Sequence, residues 1–136
     1  MDSSQLRHEL RHFSGFDQPF HHPLHRRVLY SPGAQFFFKN AGRGAYWMLD
    51  ILATEPEILQ GVEKHGFCVV ILDVVDSKAV LTVARDYSAI EDEHGIDMGG
   101  TFGQIAYQRP IDYTDCPPGV WKFYFEGNMI MLPGER

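Results

Sequence analysis

The chain has 136 residues, 44% of them hydrophobic and 22% charged, which fits one globular domain and excludes wholesale disorder. Its longest apolar run, Phe67 to Leu72, stops at Asp73, far short of the ~18–20 residues that span a bilayer. The net charge of −6 is uneven: residues 1–46 carry six basic and three acidic side chains, residues 47–136 six and fifteen. An acidic body repels a phosphate backbone, so direct nucleic-acid binding is disfavoured. Arg7, Arg11, Arg26 and Arg27 leave a small nucleic-acid-binding module as an alternative. Two cysteines make no disulfide framework and the N-terminus lacks a signal peptide's basic head and apolar core, so the expected setting is the cytoplasm.

In chain order, Ser3 or Ser4 can cap a short helix with Leu6, Leu10 and Phe13 on one face. Gly15 to Pro23 reads as loop, and Val28-Leu29-Tyr30 as a brief strand or extended arm. Ser31-Pro32 opens a helix running to Asn40, because a cap residue precedes a proline at the first helical position. A further helix spans Ala45 to about Ala53, and Pro56 breaks it or starts another turn carrying Ile58, Leu59 and Val62.

From Gly66 the period changes. Phe67 to Val75 reads as a strand buried on both faces, Asp76-Ser77 as a turn, and Lys78 to Arg85 as its antiparallel partner. A long acidic, glycine-rich connection holds Glu91, Asp92, Glu93 and Gly99-Gly100, followed by a strand over Gln104 to Gln108. Pro117 and Pro118 mark an irregular turn, and Val120 to Glu126 with Met129 to Leu132 close a hairpin. The expectation is a single α+β domain over 1–136, mainly helical in 1–65 and mainly β in 66–136. Its helices would pack on an antiparallel sheet of four or five strands.

The chemistry-bearing motifs are sparse. His8-Glu9-Leu10-Arg11-His12 matches H-E-x-x-H, in which two histidines on one helical face share a Zn²⁺ and the glutamate activates water. The helix lies at the extreme N-terminus without a cleft built before it, so a zinc hydrolase is the alternative and not the leading reading. Cys68 reads as inert core, and Cys116 has no basic neighbour to activate it. There is no phosphate loop, dinucleotide fingerprint or nucleophile elbow, and no cofactor is expected. The aromatic surplus is the best functional hint: Phe36-Phe37-Phe38 cannot all face one helical stripe, and Trp121, Phe123 and Phe125 share one strand face. Phe37 and Trp121 are therefore candidate anchors for a protein partner, beside the phosphate-like charges of Asp73, Asp76, Glu91, Asp92, Glu93 and Asp97.

Five blocks carry a resemblance: His12-Phe13-Ser14-Gly15 with His22, Leu29-Tyr30-Ser31-Pro32-Gly33, Ala45-Tyr46-Trp47-Met48-Leu49-Asp50, Ile111-Asp112-Tyr113-Thr114-Asp115-Cys116-Pro117, and Leu132-Pro133-Gly134-Glu135. Together they resemble an uncharacterised bacterial domain family carried by phages, plasmids and other mobile elements. The resemblance implies no activity, but it implies a setting in which small accessory proteins bind host complexes. The expected function is thus a non-enzymatic protein that engages a host protein complex. Inhibition of a bacterial defence system, in the manner of an acidic anti-CRISPR mimic of nucleic acid, is the specific version. A homodimer is compatible with the sequence.

Overall fold

Asp2, one residue ahead of the two serines, caps the first helix: its carboxylate accepts the Gln5 N–H at 2.8 Å, and the Gln5 side chain accepts the Asp2 N–H in return. The computed structural model describes residues 1–15 and 18–136. The loop expected over 15–23 includes Phe16 and Asp17, which lie outside the described residues, and its far end forms a short strand.

Among the described residues four α-helices precede the long strands: α1 (Ser3–Leu10), α2 (Pro32–Asn40), α3 (Tyr46–Thr54) and α4 (Pro56–His65). Ser31 caps α2 by accepting the Ala34 N–H, with Pro32 at the first helical position, as expected. Gly66 ends α4 in the left-handed conformation, where a glycine carries no Cβ penalty. The strands are β1 (Phe20–His21), β2 (Leu29–Tyr30), β3 (Phe67–Val75), β4 (Lys78–Ala84), β5 (Tyr87–Ser88), β6 (Thr101–Phe102), β7 (Ile105–Ile111), β8 (Gly119–Glu126) and β9 (Met129–Met131).

The sheet has seven strands in the order β1-β2-β9-β8-β3-β4-β7, more than the four or five expected. The surplus comes from β1 and β2, two-residue strands too short to show a period, with β2 joining β9 in the sheet's one parallel pairing. Strand β3 is central, paired along its length with β4 and β8. Asp76 and Ser77 both take positive φ, 49° and 64°, which makes the two-residue turn whose twist matches the flanking strands. Pro110 sits in β7, at the sheet edge where a missing N–H is tolerated.

The helices cover one sheet face. Cys68, Val70 and Leu72 of β3, Leu81 and Val83 of β4, and Trp121, Phe123 and Phe125 of β8 form one buried core with Leu6, Phe37, Phe38, Met48, Leu52 and Ile58. Phe37 and Phe38 are fully buried and Phe36 packs against Phe13, which resolves the triple phenylalanine: α2 is enclosed on most sides. Each such ring contributes about 1.5–3 kcal/mol by leaving water. The opposite sheet face, with Ile71, Asp73, Val80 and Thr82, is partly roofed by a hairpin lobe over residues 86–104. No helix among the described residues is long and apolar enough to cross a membrane.

Candidate functional site

Several polar residues of the five sequence blocks, among them Ser31, Glu135, His22, Asp50 and Asp115, fasten the fold. Glu135 is buried, accepting the Ser31 hydroxyl and the N–H groups of Gly33 at 3.0 Å and Leu132 at 2.9 Å. It thereby ties the chain's last turn to the N-terminus of α2, where a carboxylate also meets the positive end of the helix dipole. His22 is buried as well: Nε2 donates to Asp50 Oδ1 at 2.8 Å, while Nδ1 accepts the N–H groups of Leu24 and His25 at 3.1 and 3.0 Å. This fixes the ring tautomer and clips the loop after β1 onto α3. Asp115 accepts the Arg43 N–H at 2.9 Å and fills the space where a Cβ at Gly42 would collide. Side chains so occupied fasten loops and helix ends to one another.

Two expected anchors are corrected by burial. Phe37 is fully enclosed, with ring centroids 4.9 Å from Phe123 and 5.6 Å from Trp121. Trp121 is 3% exposed and its Nε1 donates to the Pro117 carbonyl at 2.9 Å, while the Arg7 guanidinium lies over its ring. Neither offers a surface to a partner. The H-E-x-x-H segment also departs from its expected geometry: α1 ends at Leu10, and His12 falls in the turn beyond Arg11. The His8 and His12 rings are 5.1 Å apart, and no group of three metal-ligating side chains exists among the described residues. The four arginines divide between two surfaces, Arg7 and Arg11 beside Phe13 and Lys122, Arg26 and Arg27 beside Val28 and Phe125.

Of the acidic candidates, Asp73, Asp76 and Asp97 share one cleft, and Glu91, Asp92 and Glu93 lie in the lobe that supplies Asp97. The lobe over 86–104 contains five acidic side chains and no lysine or arginine. Its neck is closed by Arg85 N–H to Gln104 O and Gly103 N–H to Asp86 O, and its middle by the Tyr87 and Phe102 rings, tilted at 45° to one another with centroids 5.0 Å apart. The Tyr87 hydroxyl donates to the Asp97 carboxylate at 2.8 Å. Burial, with that hydrogen bond and the Asp97 charge, pushes the Tyr87 hydroxyl far above its ordinary pKa. Asp92 closes the tip by accepting the N–H groups of Ile96 and His94, which hold its carboxyl below the usual range.

Asp73, Asp76 and Asp97 border one shallow cleft together with Val75, Ile96, Met98 and Arg7. Partial burial, and then the neighbouring Asp97 charge, raise the Asp73 carboxyl above its ordinary value. Within this acidic surface three large apolar side chains face solvent: Val75, Ile90 and Met98, all more than 60% exposed. Met98 N–H bonds the Ile90 carbonyl at 2.8 Å, so these two are neighbours across the lobe. The sequence contained the signal, since Ile90 and Met98 are isolated apolar residues within an acidic, glycine-rich connection.

The architecture defines the class: an α+β domain with four helices against one face of a mixed, mostly antiparallel sheet of seven strands, and an acidic hairpin lobe on the other. Within that class the chain belongs to the family of unknown function DUF6876, whose model matches residues 4–136. No curated protein and no solved structure matches the chain.

Proposed function

We propose that this is a non-catalytic accessory protein of mobile genetic elements that acts in the bacterial cytoplasm by docking its acidic lobe on a host protein complex. The observation that carries the reading is the cleft where Asp73, Asp76 and Asp97 meet the exposed Val75 and Met98, continuous with the lobe that holds Ile90, Glu91, Asp92 and Glu93. Exposed apolar side chains supply binding energy once desolvated, and the surrounding carboxylates steer and select a basic partner. A basic protein surface shaped for a phosphate backbone meets those requirements, so the partner is a nucleic-acid-handling complex of a defence system. The protein would occlude its nucleic-acid groove, as an anti-CRISPR mimic does.

The test is capture of the partner from nuclease-treated host lysate, followed by titration of the purified pair. Near-stoichiometric capture that is lost with Glu91→Lys, Asp92→Lys and Glu93→Lys combined, weakened by Met98→Asp and competed by the partner's nucleic acid supports the reading. Unaltered affinity in the triple charge reversal, with the fold intact, sinks it.

A further inference from the structure

A cleft of about 630 Å³ lies away from the acidic lobe, between the His22–Val28 loop, α4 and the β8–β9 hairpin. It opens beside Gly66, at the start of β3, whereas Asp73 and Asp76 lie at that strand's other end. Extended chain at about 3.3 Å per residue places Asp73 and Asp76 roughly 23 and 33 Å from Gly66. The volume falls within the ~300–1,000 Å³ range of small-molecule sites.

The walls of the cleft are chemically divided. Val28, Ala53, Leu59, Val62 and Phe125 make it apolar, and Leu24, 83% exposed, extends that surface at the lip. His25, Arg26 and Arg27 supply the polar side from consecutive loop positions, opposed by Glu63 alone among the acidic side chains that line it. Neither arginine is paired with a carboxylate among the described residues. The loop that carries them is fixed in advance: Val28 N–H bonds His25 O, His22 N–H bonds Val28 O, and the buried His22 is held by Asp50. A preformed wall of this kind binds without first losing loop entropy.

We infer that this cleft is a binding site for a small amphipathic monoanion, an apolar chain or ring bearing one carboxylate. The apolar portion would lie along Leu59, Val62 and Phe125, and the carboxylate would meet the Arg26 and Arg27 guanidinium groups, whose planar forks match it in pairs of hydrogen bonds. The site is independent of the acidic lobe, so failure of either reading leaves the other standing.

Decanoate, kept below its micelle concentration, and uncharged decanol are suitable probes, followed by backbone amide NMR and calorimetry on the full chain. Decanoate is expected to shift the amides of Val28, Gly66, Gly127 and Asn128 in a saturable manner. Arg26→Gln with Arg27→Gln, both at solvent-facing positions, should weaken decanoate roughly tenfold to a hundredfold, the worth of a charge-assisted hydrogen bond, and leave decanol unchanged. Saturable decanoate binding that survives the double substitution at full strength overturns the assignment. So does absence of saturable shifts, and so does binding of anionic vesicles without uptake of the free acid. A partner protein whose capture depends on Arg26 and Arg27 would make the cleft a protein interface, which also overturns it.

Discussion

Ser31 and Glu135, 104 positions apart, are joined in the core by a hydrogen bond from the serine hydroxyl to the glutamate carboxylate. The same hydroxyl accepts the Ala34 N–H, so one serine both caps α2 and receives the chain's last turn. Glu135→Ala leaves that hydroxyl and the N–H groups of Gly33 and Leu132 without their acceptor in a buried site. The expected loss is about 3 kcal/mol. Glu135→Gln, which keeps an acceptor oxygen, should lose less. Urea unfolding with an unchanged slope and a lowered midpoint is the check.

His22 and Asp50 contribute unequally to their shared contact. His22 is 2% exposed and satisfies two backbone N–H groups, whereas the Asp50 side chain is 65% exposed. His22→Ala should therefore cost about 2 kcal/mol and speed hydrogen exchange at the Leu24, His25 and Val28 amides. Asp50→Ala, which removes a largely solvated partner, should cost under about 1 kcal/mol. Equal losses in the two variants would contradict this division.

The sequence showed most of the framework because its local signals were strong. Ser31-Pro32 marked a helix start, the β-branched run Phe67–Val75 marked a central strand, and alternation in Val120–Glu126 assigned each side chain to the correct face. The segment Val28–Tyr30 was legible as a brief strand or arm, but the two residues Phe20–His21 have no period to read, and they join the sheet only through Leu29–Tyr30, itself placed by its long-range pairing with β9. The acidic side chains were legible as surface charges, whereas the two aromatic candidates were misread as exposed. Phe37 and Trp121 are aromatic in the manner of interface residues, but α2 packs directly on β8, and their burial could not be seen without that contact. Phe37→Ala is accordingly a core change, with an expected loss of about 3–5 kcal/mol rather than a selective loss of binding.

Cys68 and Cys116 are both buried free thiols. Burial raises both pKa values; at Cys116 the Asp115 charge adds to it and the Thr114 hydrogen bond opposes it. Iodoacetamide should label neither at neutral pH in the native protein and both in denaturant. Because the folded state keeps these protons longer, unfolding becomes easier as the pH rises past the ordinary thiol value of about 8.5. A native thiol that labels at the rate of a free peptide would overturn the argument for that residue.

Asp73, on β3 beside the acidic lobe, gives this surface a measurable signature of its own. Partial burial first, and the charge of Asp97 second, raise its carboxyl pKa above the unfolded value of about 3.9. A raised carboxyl binds its proton more tightly in the folded state, so stability falls as the pH rises from about 4 through the folded value and stays reduced at neutrality. Asp73→Asn removes the charge and should stabilise the protein at pH 7, by less than about 1 kcal/mol for a partly solvated pair. That gain should vanish below about pH 4, where the wild-type carboxyl is itself neutral. If the lobe docks on a basic partner, the same substitution weakens binding while it strengthens the fold, because the charge that destabilises the free protein is the one the partner neutralises. Thermal unfolding of both forms at pH 7 and at acid pH, with partner titration at pH 7, separates these effects. A variant that is stabilised equally at both pH values would show that Asp73 acts through packing and not through charge.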